Sequence, residues 1–295
     1  MSADTPRLSP HWLDASGGLG YHWRALRYRQ RLWQPFAAQV GRWLDAWRPP
    51  TRELVLVGPS AGYALDAAFL ARFARIVVLE PDRLARALLR RRFPDAALLA
   101  ADVDAFALPH GPAALARAWP EAAILFCNVI GQRLDADTAP PWHAAQRAAL
   151  DGHHWASWHD VFSAPQPPRQ LPDPAGHPDS SAAARALWAG MACEVVDHGT
   201  LGWGPAAQYA LWHLAPGQWQ VIEWVRHAPG GAALSPAGQP SARRLGRLGQ
   251  RGHDGREALA HTRQAALGRR HVARAVGRFQ CPRGLRQRHC ADGGG

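Results

Sequence analysis

No lysine occurs among the 295 residues, so all 34 basic side chains are arginine. Cysteine is scarce as well. Cys127, Cys193, Cys281 and Cys290 share neither a Cys-x-x-Cys spacing nor a zinc-ligand pattern, which argues against a disulfide framework, a metal ribbon or redox chemistry. Long apolar runs are missing: stretches such as Ala122 to Cys127 fall far short of the roughly 20 residues a membrane helix needs. The opening MSADTPRLSPHW has no apolar signal-peptide core. A cytoplasmic protein with no membrane partner is expected. From residue 228 onward Trp and Tyr are lacking too, and Phe279 is the one Phe.

What is present divides the chain in two. Residues 1 to 227 carry 21 Arg against 20 acids and all 14 Trp, whereas residues 228 to 295 carry 13 Arg against 3 acids. The net charge of +11 therefore belongs almost wholly to the tail and is no nucleic-acid signature of the body. With Arg and Gly scattered aperiodically, the tail buries too little apolar surface to offset its ordering entropy. Three readings fit it: a solvated disordered tail, an Arg/Gly arm for nucleic acid, and an out-of-frame translation of a GC-rich gene. None informs the function of the body.

Within the body, Trp33, Phe36, Val40, Trp43 and Trp47 recur at steps of three and four, which predicts a helix over residues 22 to 47, stopped by Pro49 and Pro50. Glu53 to Gly58 (ELVLVG) and Arg75 to Pro81 (RIVVLEP) are short, almost fully apolar runs closed by turn residues, the pattern of strands buried on both faces of a parallel sheet. A crossover helix is predicted over Tyr63 to Phe73. The alternation continues with a helix over 82 to 92, a strand near 96 to 101, a helix near 112 to 119 and a strand over 122 to 129. A fifth strand over 155 to 162 and a helix over 182 to 189 follow. Residues 209 to 214 and 219 to 226 pair as a hairpin across Ala215-Pro-Gly-Gln218. The fold class is thus α/β, a doubly wound, mostly parallel sheet with a C-terminal antiparallel hairpin, followed by a non-globular Arg/Gly-rich tail. The expected divisions are a helical cap over 1 to 50, a Rossmann-like domain over 51 to 227 and the basic tail over 228 to 295. Six prolines between Ser163 and Ser180 make that stretch a long loop, either a lid or a disordered insertion.

The chemistry concentrates at the strand ends. Val57-Gly-Pro-Ser-Ala-Gly-Tyr63 joins the first strand to its helix, and glycines with small residues between them let backbone N–H groups approach a ligand closely. Glu80 ends the second strand 22 residues after Gly58, where an acid accepts from both hydroxyls of a nucleoside ribose. Asp102 ends the third strand, within reach of an adenine amino group, although Asp102 or Asp104 could instead cap the next helix.

With these residues in place the sequence resembles the class I S-adenosylmethionine-dependent methyltransferases over about residues 22 to 227. Their acid-x-Gly-x-Gly-x-Gly motif falls on Leu56, Gly58, Ser60 and Gly62, their second-strand acid on Glu80 and their third-strand acid on Asp102. Their closing hairpin falls on Tyr209 to Arg226. The resemblance implies S-adenosylmethionine as cofactor, with Gly58, Ser60 and Gly62 at its methionine end, Glu80 at the ribose, Asp102 at the adenine edge and Asn128 facing the transfer site. It implies a small-molecule acceptor. Leu56 and Ser60 depart from the motif, and Phe126-Cys-Asn-Val-Ile-Gly131 lacks the Asn-Pro-Pro-aromatic motif of members that methylate bases. His22, Tyr28, His143 and His159 are unranked candidates for a base.

Two alternatives stand beside this reading. Gly58-Pro-Ser-Ala-Gly62 also satisfies the Gly-x-Ser-x-Gly elbow of α/β-hydrolases, with Ser60 as nucleophile. A non-catalytic nucleoside-binding protein is the other. His153, His154 and His159 lie at steps of one and five, which puts no pair one helical turn apart and argues against a metal site. Cys127 reads as a buried small hydrophobe.

Overall fold

The computed structural model describes residues 5–9, 18–135, 137–172, 179–204 and 207–230. Trp12, residues 173–178 of the proline-rich stretch (Pro174 and Pro178 among them) and the tail beyond Gly230 lie outside these residues.

The chain enters through α1 (Gly18–Tyr28), one π-type turn over Arg29–Trp33, and α2 (Gln34–Asp45). Pro35 occupies the first turn of α2, where a missing N–H costs nothing, and Phe36, Val40, Trp43 and Leu44 face inward. Strand β1 (Glu53–Val57) follows. Instead of a full crossover helix, residues 59 to 66 pass through turns and only α3 (Ala67–Leu70) is helical. It begins late because Asp66 caps it, accepting from the Phe69 N–H at 2.7 Å. Then come β2 (Arg75–Leu79), α4 (Arg83–Arg92), β3 (Leu98–Ala100), α5 (Gly111–Ala118) and β4 (Ala123–Cys127). The short α6 (Ile130–Arg133) and α7 (Ala139–Leu150) precede β5 (Trp155–Ala164). The rest is α8 (Ser180–Leu187), β6 (Val196–Asp197), β7 (Gln208–Ala215) and β8 (Gln218–His227).

The sheet order is β3-β2-β1-β4-β5-β8-β7, with β6 paired to the end of β5. From β3 to β5 every pairing is parallel, and β8 lies antiparallel between β5 and β7. This is the doubly wound, hairpin-closed sheet that the apolar runs predict. Side chains alternate across it. Leu54, Leu56, Ile76, Val78 and Leu125 join Trp33, Phe36 and Trp43 of the N-terminal helices on one face, while Val55, Val57, Val77, Ile124 and Phe126 pack with Leu115, Trp142 and Leu150 on the other. Both faces are dry, which explains the unbroken apolar strands, and each buried Leu or Ile contributes about 1.5 to 3 kcal/mol. The helical face is sealed by Phe36 stacked on Trp212 of β7 at 4.8 Å and by the Trp33 indole N–H donating to the Leu214 carbonyl at 2.7 Å. These contacts hold the N-terminal helices against β7.

Candidate functional site

The turn after β1 is held in a conformation few side chains tolerate. Gly58, Ser60 and Gly62 have φ of +63°, +49° and +66°. A Cβ on Gly58 would stand 2.6 Å from Val129, and one on Gly62 would stand 2.6 Å from Leu89 and 2.8 Å from Phe93. The first glycine lets the turn pass the end of β4, and the second lets α4 close on it. The Gly58 N–H donates to the Leu79 carbonyl at 2.9 Å, extending the β1–β2 ladder by one step.

Glu80 lies immediately after β2 and is 7% exposed. Its Oε2 accepts the Ser60 N–H at 2.8 Å and its Oε1 accepts the Asp82 N–H at 3.1 Å. The carboxylate thus pins the glycine turn and the start of α4 to one point at the cleft floor. A carboxylate presents about four acceptor positions, so these two donors are compatible with further ones. Asn128 follows β4 with φ of +53°. Its N–H is fixed by the Trp158 carbonyl at 2.7 Å, and its buried Oδ1 has no hydrogen-bond partner. Among the described residues Ser60 and Asn128 are the two non-glycine residues at positive φ. Such strain costs about 1 to 3 kcal/mol and persists where the surroundings impose it, often at binding sites.

A cleft opens over these groups, enclosing about 890 Å3 when the solvent at its mouth is counted. Gly58, Ser60, Gly62, Glu80 and Asn128 all line it. Asp102 does not. Strand β3 ends at Ala100, and residues 5 to 9 fold across the segment that follows: Arg7 pairs with Val103, and the Leu8 N–H donates to the Asp102 carbonyl at 2.9 Å. This pairing leaves the Asp102 carboxylate 55% exposed, 3.5 Å from Arg86. Leu8, Val103, Ala105 and Phe106 line that end of the cleft instead, a contribution of the N-terminus that no sequence signal marked. The other end is walled by Tyr21, Tyr63, Trp158 and Trp212 above Cys127. These come from five separate elements, so no local pattern could have assembled them. Burial pushes the Tyr21 phenol and the Cys127 thiol up, with Glu80 adding to both, which keeps both neutral. Leu56, in the acid's place in the motif, is fully buried in the core and does not reach the cleft.

The base candidates separate. His143 stacks on Trp203 at 4.4 Å. His159, fully buried between the Ser157 hydroxyl (2.9 Å) and the Thr200 carbonyl (3.1 Å), is pushed down to about 4 by burial. Neither these two nor Tyr28 lines the cleft. His22, 8% exposed, sits behind its wall in contact with Tyr63. The Ser60 hydroxyl has no hydrogen-bond partner, so no histidine activates it and the hydrolase alternative lacks its base. Among the described residues no cluster of three or more His, Cys, Asp or Glu is arranged to hold a metal ion. No described helix is long and apolar enough to cross a membrane.

No family model matches the chain, and no curated protein sequence does. Solved structures similar to it include DhpI in complex with SAH, at 13% identity over 70% of this chain and 94% of that one, with a TM-score of 0.37. The N-methyltransferase NodS from Bradyrhizobium japonicum WM9 is similar at 10% identity over 66% of this chain and 96% of that one, TM-score 0.37. Magnesium protoporphyrin IX methyltransferase (ChlM) from Synechocystis PCC 6803 with bound SAM gives 10% identity over 72% and 86%, TM-score 0.38.

Proposed function

We propose that this protein is an S-adenosylmethionine-dependent methyltransferase acting on a small-molecule acceptor. The observation that carries the reading is the meeting, in one cleft at the carboxyl ends of parallel strands, of a positive-φ glycine turn with the buried carboxylate of Glu80. Ligands of open α/β sheets bind at this place. The residues suit the cofactor's parts. Glu80 accepts from the ribose hydroxyls. The apolar wall of Leu8, Val103, Ala105 and Phe106 takes the adenine ring, a task the exposed Asp102 side chain leaves to them. The turn from Gly58 to Gly62 and the unpaired Asn128 Oδ1 face the amino-acid end, where the amide oxygen accepts from an ammonium group.

When bound, the cofactor supplies a methyl group activated on a sulfonium, and transfer is an in-line displacement that needs chiefly positioning and exclusion of water. The aromatic wall of Tyr21, Tyr63, Trp158 and Trp212 provides the apolar half of the cleft.

Calorimetry of the full chain with S-adenosylmethionine and S-adenosylhomocysteine tests the reading, followed by release of the latter when a library of small acceptors is added. Binding of both with turnover on at least one acceptor is expected. Binding without any turnover would favour the non-catalytic nucleoside-binding reading, and absence of binding would overturn both.

A further inference from the structure

Behind the aromatic wall, three polar side chains from three elements stand in line. Tyr63 lines the cleft, and its hydroxyl is 3.0 Å from Nδ1 of His22 on α1. Nε2 of the same ring is 3.7 Å from Oδ2 of Asp82. Asp82 is 1% exposed and uses its other oxygen to cap α4, accepting the Leu84 and Ala85 N–H groups at 2.8 and 3.2 Å. His22 Nε2 and Asp82 Oδ2 are both buried without a hydrogen-bond partner. Two orphaned buried atoms of opposite character face each other across a gap a few tenths of an ångström too long for a hydrogen bond. Catalytic contacts in unliganded sites are often loose in this way.

From this geometry we infer that Tyr63, His22 and Asp82 form a proton relay that takes the proton of an acceptor O–H or N–H group during methyl transfer. The inference rests on the methyltransferase reading above. In the step, the acceptor's lone pair bonds the methyl carbon and the carbon–sulfur pair returns to sulfur, leaving a neutral thioether. The acceptor's proton goes to the Tyr63 oxygen while the Tyr63 proton passes to His22 Nδ1, and the resulting imidazolium is held opposite the Asp82 carboxylate. Tyr63, the one of the three that lines the cleft, is the group that would touch the acceptor, and His22 and Asp82 are positioning residues. An acceptor that is already anionic, or a tertiary amine, would need no such relay.

The surroundings fit. Burial pulls His22 down, with Asp82 opposing, which keeps the ring neutral and able to accept a proton. Tyr21 is the other ring beside it, at 6.0 Å between centroids. Burial pushes the Tyr63 phenol up, opposed by the charges of Arg92, which lies over the ring at 5.1 Å, and Arg29.

The test is nitrogen-detected NMR of the full chain labelled at histidine, with Tyr63→Phe and Asp82→Asn variants. The relay requires the His22 proton to sit on Nε2, so that Nδ1 accepts from Tyr63. Asp82→Asn removes the charge that holds the imidazolium and should lower the His22 midpoint by about half a unit or more, whereas Tyr63→Phe removes a partner of both ring forms and serves as the control for the fold. An Nδ1–H tautomer in the unaltered chain overturns the relay even if the variants fail to fold, because such a ring donates to Tyr63 and cannot receive its proton. An unchanged His22 midpoint on Asp82→Asn overturns it equally. Calorimetry with S-adenosylhomocysteine on the unaltered chain separates the two layers. No binding overturns the cofactor reading, whereas binding together with the Nδ1–H tautomer leaves that reading standing and removes the relay alone.

Discussion

In the parallel half of the sheet, Leu54 to Val57, Ile76 to Leu79 and Ala123 to Cys127 are apolar and buried without exception. Polar groups begin one residue later, at Gly58, Glu80 and Asn128. In the antiparallel half, β5 and β8 bury Ser157, His159, Asp160 and Glu223 inside the strands themselves. Strands covered on both faces by helices offer polar groups no partners, so chemistry is pushed to their carboxyl ends, where a ligand can meet it. His159 and Glu223 have found partners in the segment before β7 and at the start of β7. Glu223 accepts the Gly202 and Trp203 N–H groups at 2.6 and 2.7 Å and the Tyr209 hydroxyl at 3.0 Å. The Asp160 carbonyl accepts the Thr200 hydroxyl at 2.9 Å. Burial of a titratable group therefore means different things in the two halves: at Glu80 a carboxylate that lines the cleft, at Glu223 a structural staple.

Breaking the staple should give the largest effect. Glu223→Ala leaves three donors without their acceptor, and unsatisfied buried groups cost about 1 to 3 kcal/mol each. A loss of roughly 3 to 4 kcal/mol is expected in urea denaturation, with cofactor affinity of the folded protein little changed. A similar loss for a surface control would contradict the staple.

His159 supplies a pH arm of the same comparison. Its midpoint is lowered from 6.5 to about 4 in the folded chain, so the folded state prefers the neutral ring. Its stabilisation is present above about pH 6.5 and is lost as pH falls toward 4. At 1.36 kcal/mol per unit the loss amounts to roughly 3 kcal/mol. Denaturation midpoints between pH 7 and 4.5 should flatten in a His159→Gln variant, and an unaltered slope would show that other groups govern acid unfolding.

In the cleft half the effects on stability are smaller and those on binding larger. Gly62→Ala brings a Cβ against Leu89 and Phe93 at a positive φ, which should cost about 1 to 3 kcal/mol and displace the turn. Ser60→Gly should do the opposite. It relieves a left-handed conformation worth about 1 to 2 kcal/mol against an entropy cost of about 0.5 to 1, for a slight net gain seen by thermal melting. A marked loss would mean that the Ser60 hydroxyl has a role its missing partner does not reveal.

The parallel half was the more legible in sequence. ELVLV and RIVVL read as strands because burial on both faces writes itself as an unbroken apolar run. Helix α7 was hidden by Pro140 and Pro141, which look like a break but sit in the first turn where proline is tolerated. Helix α6 and strand β6, of four and two residues, are too short to show a period. The crossover helix was overread because Leu65, Phe69 and Phe73 keep a helical spacing that tertiary packing alone satisfies. At the site, Gly58 and Glu80 were visible through local turn chemistry. The exposed place of Asp102 was not, because it depends on residues 5 to 9 pairing nearly a hundred positions away, and the wall of Tyr21, Tyr63, Trp158 and Trp212 is likewise a product of topology.

The most direct measurement sets the two buried glutamates against each other: calorimetric titration of S-adenosylhomocysteine into the full-length chain, into Glu80→Gln and into Glu223→Gln. The glutamine at position 80 can still accept a backbone N–H but loses charge-assisted bonding to the ribose, so affinity should fall at least about tenfold, or 1.4 kcal/mol, with the fold retained. Glu223→Gln should bind as the unaltered chain does while melting earlier. Equal affinities for the unaltered chain and Glu80→Gln, or a loss confined to Glu223→Gln, would contradict the assignment of the cleft floor to Glu80.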